Sequence, residues 1–405
     1  MKYLIILTDG AADEPLEALG NRTPLEAAKL PNIDSLASRG TVGMVRTIPP
    51  GMSPGSDTAN LSVMGFDPAT YHTGRSPLEA VSMGIEMDQS DVAFRCNLVT
   101  LEGDGDYADR IIIDHSAGDI TTDEAKYLIL SIQNALGTDA IRFYPGVSYR
   151  HAMIVHNGDT GYDLTPPHDI LDQRIGEHLP KGERAFFLEE MMRKSVSILE
   201  THPVNLSRER RGLRPANSIW VWGEGRKPAL PSFYEKYGIH GATISAVDLI
   251  KGIGVCAGLE ALSVPGATGT IHTNFDGKAT AAVEAFQRGV DFVYLHLEAP
   301  DECSHQGDLE GKLLSLELID EKVVGPIVRY LAGSGESYRI MVLPDHPTPM
   351  RTRTHSREPV PFVLYDSGDL KEEDPKRTFC EFAAVRGMFF PGGHELADYF
   401  FKAQR

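Results

Sequence analysis

The sequence predicts an α/β protein, a doubly wound and mostly parallel sheet flanked by helices and interrupted by an α+β insertion. Three observations carry this. Short, almost wholly apolar runs, Tyr3-Leu4-Ile5-Ile6-Leu7, Phe292-Val293-Tyr294-Leu295-His296-Leu297 and Ile340-Met341-Val342-Leu343, suit strands buried on both faces of a parallel sheet. Capped helical stretches alternate with them. From about Met83 to about Trp222 the rhythm changes to closely spaced short strands with helices between, which points to a separate layer of α+β structure. Residues 1–82 and 225–405 are therefore expected to form one discontinuous domain, and residues 83–224 the insertion.

At 405 residues, one large domain with an insertion or two domains is the expected range. Apolar residues at 41% and charged residues at 24% are ordinary for a globular chain, and 39 glycines with 26 prolines imply many defined turns. A net charge of −18 argues against nucleic acid and against an anionic membrane surface, since both need a positive field. A small anionic substrate would need local arginines. No apolar run approaches the roughly 20 residues of a bilayer span. Cys96, Cys256, Cys303 and Cys380 show no close pairing and no signal-peptide pattern precedes Met1-Lys2-Tyr3, so a reduced, cytoplasmic protein is expected.

In chain order, the first strand ends on Asp9-Gly10. Ligands bind at the carboxyl edge of an open α/β sheet, and an acid before a glycine there can hold a metal or simply shape a turn. Pro31 to Gly40 reads as a capped helix, and Thr41 to Ile48 as a strand running into the turn Pro49-Pro50-Gly51-Met52-Ser53-Pro54-Gly55-Ser56-Asp57. Ala59 to Gly65 reads as a short helix after that turn. Ser56 thus stands at a turn-to-helix junction, where free N–H groups help to hold an anion; the alternative is that Ser56 or Asp57 only caps the helix.

Within the insertion, Val92 to Val99 and Arg110 to Asp114 read as strands and Thr122 to Leu128 as a helix. Arg150-His151, His168-Asp169 and Arg211-Gly212-Leu213-Arg214 are its anion-gripping clusters, because arginine's planar fork suits phosphate or carboxylate. Trp220 to Gly225 reads as a strand with a hinge-like glycine turn that returns the chain to the first domain. Beyond it come a strand and helix from Gly241 to Gly254, and Lys278 near a helix start.

Asp301 and His305, four apart on a helical turn after the strand ending at Glu298, can face one way. An amphipathic helix from Lys312 to Leu331 precedes the strand that ends on Asp345-His346, and Arg353-Thr354-His355-Ser356 precedes the strand from Val360 to Tyr365. Three acids and three histidines recur at strand ends predicted to share one edge. Oxygen and imidazole ligands in that number would hold two divalent ions, able to orient a serine alkoxide and clamp a phosphoryl group.

At these residues the sequence resembles the cofactor-independent phosphoglycerate mutases, in their archaeal-type branch, within the alkaline phosphatase superfamily. The resemblance runs along essentially the whole chain, through Thr8-Asp9-Gly10, Thr23-Pro24-Leu25-Glu26-Ala27-Ala28, Pro54-Gly55-Ser56-Asp57-Thr58-Ala59-Asn60-Leu61, Thr73-Gly74-Arg75-Ser76-Pro77-Leu78-Glu79-Ala80 and Asp345-His346. It implies an alkaline-phosphatase-like domain carrying an inserted transferase domain, with phosphoglycerate in the cleft between them. It implies that Ser56 is the phosphorylated nucleophile, that Asp9, Ser56, Asp345 and His346 surround one metal, and that Asp301, His305 and His355 hold the other. Mixed oxygen and imidazole ligands suit manganese, zinc or cobalt and do not exclude magnesium, and manganese is the ion expected first. Arg211 and Arg214 match the paired substrate arginines and Lys278 the lysine near the metals; Arg150, His168 and Asp169 are carried over as further substrate contacts.

Bacterial relatives of this branch with the same serine motif have been proposed as homoserine kinases, so a kinase-like phosphotransferase is an alternative, although neither a GxxxxGK[ST] loop nor a kinase GxGxxG is present. A metal-dependent phosphatase, with water as acceptor, and a binding protein without catalysis are further alternatives.

Overall fold

The computed structural model describes residues 1–369 and 371–401, which form two compact units, Met1–His72 with Ala229–Arg405 and Thr73–Pro228. The first unit holds β1 (Lys2–Thr8) and β2 (Thr41–Val45); the second holds β3 (Val92–Glu102), β4 (Ile111–Asp114), β5 (Ile141–Val147), β6 (Arg150–Val155), β7 (Gln173–Arg174) and β8 (Ser218–Arg226). The first unit then resumes with β9 (Gly241–Ile244), β10 (Glu260–Leu262), β11 (Phe292–Leu297), β12 (Tyr338–Leu343), β13 (Val360–Asp366) and β14 (Met388–Phe390).

The first unit is built on an eight-stranded sheet in the order β10-β9-β11-β1-β12-β13-β2-β14. All neighbours are parallel except the pairs that β13 makes with β12 and β2. The α/β, mostly parallel architecture expected from the apolar runs is thus the one observed. β1 lies at the centre because both its faces are covered. Leu4 and Ile6 join a core with the helices Pro31–Arg39 and Phe275–Gln287, while Tyr3, on the other face, meets Phe400 and Phe401 of the helix Gly393–Phe401 at 5.7 and 5.4 Å. Each buried Leu or Ile of such a strand contributes about 1.5–3 kcal/mol relative to exposure.

The helix expected from Lys312 to Leu331 is three joined pieces, Leu309–Ile319, a π-helical turn Asp320–Val324, and Gly325–Gly333. The turn places the Asp320 carboxylate against the N-terminus of the helix Pro31–Arg39, where it accepts from the backbone N–H groups of Asn32 and Ile33 at 3.1 and 2.8 Å. In the first turn of the helix Leu309–Ile319, the Lys312 ammonium is fully buried on the Asp13 carboxylate at 2.8 Å and donates to the Thr348 carbonyl at 3.1 Å. Asp13 also accepts from the N–H of Met350 at 3.1 Å, so the pair fastens the segment after β12.

In the second unit β5-β6-β3-β4-β7 form an antiparallel sheet, with β8 also paired to β3. Ala125, Leu128, Ile129 and Ile132 line one face of the helix Thr122–Leu136, and Leu188, Met192 and Leu199 one face of Phe186–Leu199; both faces enter the core against this sheet.

Two expectations are corrected here. The helix Ser76–Ser82 belongs to the second unit, so the junctions fall at 72/73 and 228/229 and not at 82/83 and 224/225; Arg95 of β3 binds Glu79 at 2.8 Å, and Ser76 donates to the Gly223 carbonyl. The glycines after Trp222 make no hinge. β8 continues to Arg226, and Gly223, at φ +64°, takes up a bulge opposite the step from Ala93 to Arg95. Among the described residues no helix is long and apolar enough to cross a membrane.

Candidate active site

Strand direction brings the acids and histidines together. Asp9 follows β1, the helix Ala299–Gln306 carrying Asp301 and His305 follows β11, and Asp345-His346 follow β12, all at carboxyl ends of parallel strands. His355 precedes β13, which runs the opposite way, so its amino end returns to the same edge. Gly10, at φ +64°, lets the chain turn directly over Asp301; a Cβ there would lie 2.7 Å from the Asp301 Cα.

Asp345 and His346 are fully buried and Asp9 nearly so. His346 Nε2 lies 3.6 Å from Asp9 Oδ1, 3.4 Å from Asp345 Oδ2 and 3.3 Å from Ser56 Oγ. Beside this group, His305 Nε2 is 3.1 Å from Asp301 Oδ2 and His355 Nε2 3.5 Å from Asp301 Oδ1, and the rings of His346 and His355 stack with centroids 3.9 Å apart. Asp9, Asp345 and His346 form one cluster of atoms within 4.8 Å of one another, and Asp301, His346 and His355 a second that shares His346.

These clusters fit divalent cations. The donors are carboxylate oxygen and imidazole nitrogen, and Asp9 Oδ1 is buried without a hydrogen-bond partner. Burial, then the charges of Asp345 and Asp301, push the Asp9 carboxyl well above the usual carboxylate range. Burial would also raise Asp301, but the hydrogen bonds from His305 and His355 outweigh it and hold that carboxyl well below the usual range. The same bond to Asp301 raises His305 to about 9.

Ser56 opens the helix Ser56–Val63 as its first residue, with Gly55 in the capping position and no side-chain cap bond. The helix therefore starts earlier than expected, and its capping position is that of Gly55 and not of Ser56 or Asp57; Asp57 lies 2.9 Å from His72. The Ser56 hydroxyl is left facing His346.

Lys278 lies in the core, not at the cluster's rim. Its ammonium donates to the His296 carbonyl at 3.1 Å, and burial lowers it to about 8, while burial raises the nearby Glu298 to about 7.

The remaining predicted residues lie in the second unit. Arg214 donates to Asp114 at 2.6 Å, and Arg211 to Glu124; both guanidinium groups are about half exposed. Next to Asp114, the His115 ring meets those of His168 and Tyr149 at 6.1 and 5.6 Å, and Arg150 lies 5.7 Å over Tyr149. His168 also packs on Trp222 at 5.4 Å and lies 3.6 Å from Asp169. His151 is apart from this set: it is buried, accepts from the Gly146 N–H at 2.9 Å, and burial lowers it to about 3.

Sequence reasoning did not single out Asn60, Tyr294, His296, Thr348 or Arg208. Asn60 donates to Asp345 Oδ2 at 3.0 Å and to the Ser56 carbonyl at 2.8 Å, and accepts from Tyr294 OH at 2.6 Å. His296 lies 2.8 Å from Asp9 Oδ2, and Thr348 donates to Asp301. Arg208, buried, donates to the carbonyls of Ala117 and Arg214. A period of two along β11 would have put Tyr294 and His296 on one face pointing at this edge.

Residues 37–205 match the family model described as 2,3-bisphosphoglycerate-independent phosphoglycerate mutase. A Geobacter sulfurreducens protein named a probable 2,3-bisphosphoglycerate-independent phosphoglycerate mutase is 54% identical over 98% of this chain and 99% of its own. A mutase of that name from Methanothrix thermoacetophila is 52% identical over 96% of each. Among solved structures, a Pyrococcus horikoshii protein superposes with a TM-score of 0.82 at 29% identity, covering 99% of this chain and 96% of the other. The cofactor-independent phosphoglycerate mutase of Thermoplasma acidophilum gives 0.68 at 28% identity, covering 99% of each. With identity this high over nearly all of both chains, the chain belongs to the family of 2,3-bisphosphoglycerate-independent phosphoglycerate mutases.

Proposed function

We propose that this chain interconverts 3-phosphoglycerate and 2-phosphoglycerate through a phosphoserine at Ser56, with no 2,3-bisphosphoglycerate. The observation that carries the reading is the Ser56 hydroxyl, uncommitted to capping and 3.3 Å from His346 Nε2 in a buried acid and histidine cluster.

In this reading Asp9, Ser56, Asp345 and His346 hold one divalent ion and Asp301, His305 and His355 the other, with manganese preferred over zinc, cobalt or magnesium. When bound, such ions neutralise charge on phosphoryl oxygens and favour the alkoxide form of serine. The chain supplies the rest. Ser56, as the first residue of its helix, presents its oxygen at the helix N-terminus, whose dipole favours the anionic phosphoryl group there. Asn60 holds the Ser56 carbonyl and the Asp345 carboxylate together, so nucleophile and ligand keep a fixed spacing. Arg211 and Arg214 are the proposed holders of the glycerate carboxylate, with Arg150, His168, Asp169 and Lys278 as further substrate residues. The phosphoryl group leaves one hydroxyl of the glycerate for Ser56 and returns to the neighbouring one. The cytoplasmic location expected from the sequence belongs to the same proposal.

The test is purified protein with manganese and 3-phosphoglycerate, free of 2,3-bisphosphoglycerate, beside a reaction with homoserine and ATP. Formation of 2-phosphoglycerate is expected. ATP-dependent phosphorylation of homoserine with no 2-phosphoglycerate would overturn the substrate, and release of inorganic phosphate alone would make the protein a phosphatase.

A further inference from the structure

We infer that His296 is the positioning residue of Asp9, held in its Nε2-protonated form by Ser245, so that Asp9 offers a metal ion one oxygen only. The inference rests on the reading of Asp9 as a ligand.

The register of three adjacent strands makes the alignment. β11 lies between β9 and β1, with Ile244 opposite Leu295 and Leu7 opposite His296. Residues opposite each other in a parallel sheet share a face, and the side-chain period is two. Ser245, one past Ile244, therefore shares a face with His296, and so does Asp9, two past Leu7. The three side chains meet in a row: Ser245 Oγ is 3.1 Å from His296 Nδ1, and His296 Nε2 is 2.8 Å from Asp9 Oδ2. All three are buried, His296 completely.

The direction of the protons follows from counting donors. Ser245 Oγ accepts the backbone N–H of Val247 at 2.9 Å, and its own hydroxyl proton has His296 Nδ1 as the acceptor in reach. Nδ1 is then an acceptor, so the neutral ring carries its proton on Nε2 and donates it to Asp9. The opposite tautomer would leave the serine proton without a partner and, with Asp9 ionised as a metal ligand, set a ring lone pair against a carboxylate oxygen. With Oδ2 so engaged, Oδ1 is the atom left over; it is buried without a hydrogen-bond partner and lies 3.6 Å from His346 Nε2. The Lys278 ammonium, on the His296 carbonyl at 3.1 Å, pins the backbone of the same residue. Histidine and carboxylate groups behind a ligand fix its orientation, and their loss weakens metal binding about 10–100-fold.

The experiment combines histidine ¹⁵N spectra of the protein loaded with diamagnetic Zn²⁺ with calorimetric Mn²⁺ titration of Asp9→Ala, His296→Leu, His296→Gln and Ser245→Ala. Wild type is expected to show His296 protonated at Nε2. His296→Leu is expected to bind one ion about 10–100-fold more weakly. His296→Gln, whose amide N–H reaches the same oxygen, should recover most of the loss, and Ser245→Ala should lose less than His296→Leu. Circular dichroism checks folding. If His296→Leu fails to fold, the wild-type spectrum and Ser245→Ala decide alone: a ring protonated at Nδ1, or Mn²⁺ binding unchanged by Ser245→Ala, would overturn the inference. Should Asp9→Ala lose an ion while folded His296→Leu binds as wild type does, the positioning role falls and the metal reading stands. If Asp9→Ala itself binds Mn²⁺ as wild type does, the metal reading is what fails.

Discussion

The Nε2 atoms of His305 and His355 face each other at 3.0 Å, with the Asp301 carboxylate against both rings. Two imidazole nitrogens that close need a proton or a cation between them. In the metal-free chain the bond to Asp301 raises His305 to about 9, so that ring carries a proton near neutral pH. A divalent ion must displace that proton. Manganese binding to the metal-free protein is therefore expected to release protons near neutral pH, and affinity to rise with pH until about 9 and then level. Titration in buffers of different ionisation enthalpy measures the release. The same shift sets a stability trend, because the His305 pKa is raised on folding from an unfolded value of about 6.5. Its contribution to the metal-free fold is complete below about pH 6.5 and is lost as the pH rises through about 9, which urea unfolding in chelator will show.

Ser56→Ala should abolish phosphoryl transfer and leave the fold intact. Gly55 occupies the capping position, so the hydroxyl removed is not one the helix uses. Turnover is expected to fall by roughly three orders of magnitude or more on loss of a covalent nucleophile. Thermal unfolding should stay within about 1 kcal/mol of wild type. Turnover near the wild-type rate would exclude Ser56 as the nucleophile.

Arg211→Ala with Arg214→Ala separates isomerisation from hydrolysis. Each charge-assisted contact to a glycerate carboxylate is worth about 1.5–3 kcal/mol, about tenfold or more in retention of the acceptor. The double variant should form less 2-phosphoglycerate and release relatively more inorganic phosphate. An unchanged ratio of the two products would withdraw these arginines from substrate binding.

Lys312→Met should destabilise the protein by about 3–5 kcal/mol, because it strands the Asp13 carboxylate in a dry site. Adding Asp13→Leu removes the stranded charge and should recover much of the loss. Urea unfolding of both variants checks this. A single variant as stable as wild type would mean that the buried pair does not hold this segment in place.

The strands were legible where runs such as Leu4-Ile5-Ile6-Leu7 are apolar without a break, since only burial on both faces accounts for them. The convergence of Asp9, Asp301, Asp345 and His346 could be read for a related reason: each lies within four residues of the end of such a strand, and parallel strands end on one edge. His296 was hidden by the same pattern, as a lone polar residue inside an apolar run looks like core. Asn60 looked like an ordinary residue of a short helix, and its bonds to Ser56 and Asp345 exist only once β12 is in place. Lys278 was placed near a helix start, but nothing in the linear pattern shows that its side chain turns inward to a carbonyl of β11. The unit boundary was misplaced because the helix Ser76–Ser82 is tied by Glu79 to a strand that has not yet appeared in the chain.

The position of β1 at the centre of its sheet has a consequence for synthesis on the ribosome. Its two neighbours, β11 and β12, are among the last strands to be made, after the whole of residues 73–228 has emerged. At about 5–20 residues per second, the first strand waits on the order of tens of seconds for a partner. The second unit is contiguous and has its own core, so it can finish folding during that wait. The nascent chain must meanwhile carry Leu4 to Leu7 as an unpaired apolar edge, which makes this short run the natural client segment for a chaperone and the first place where crowded, slowed or truncated synthesis would lead to aggregation.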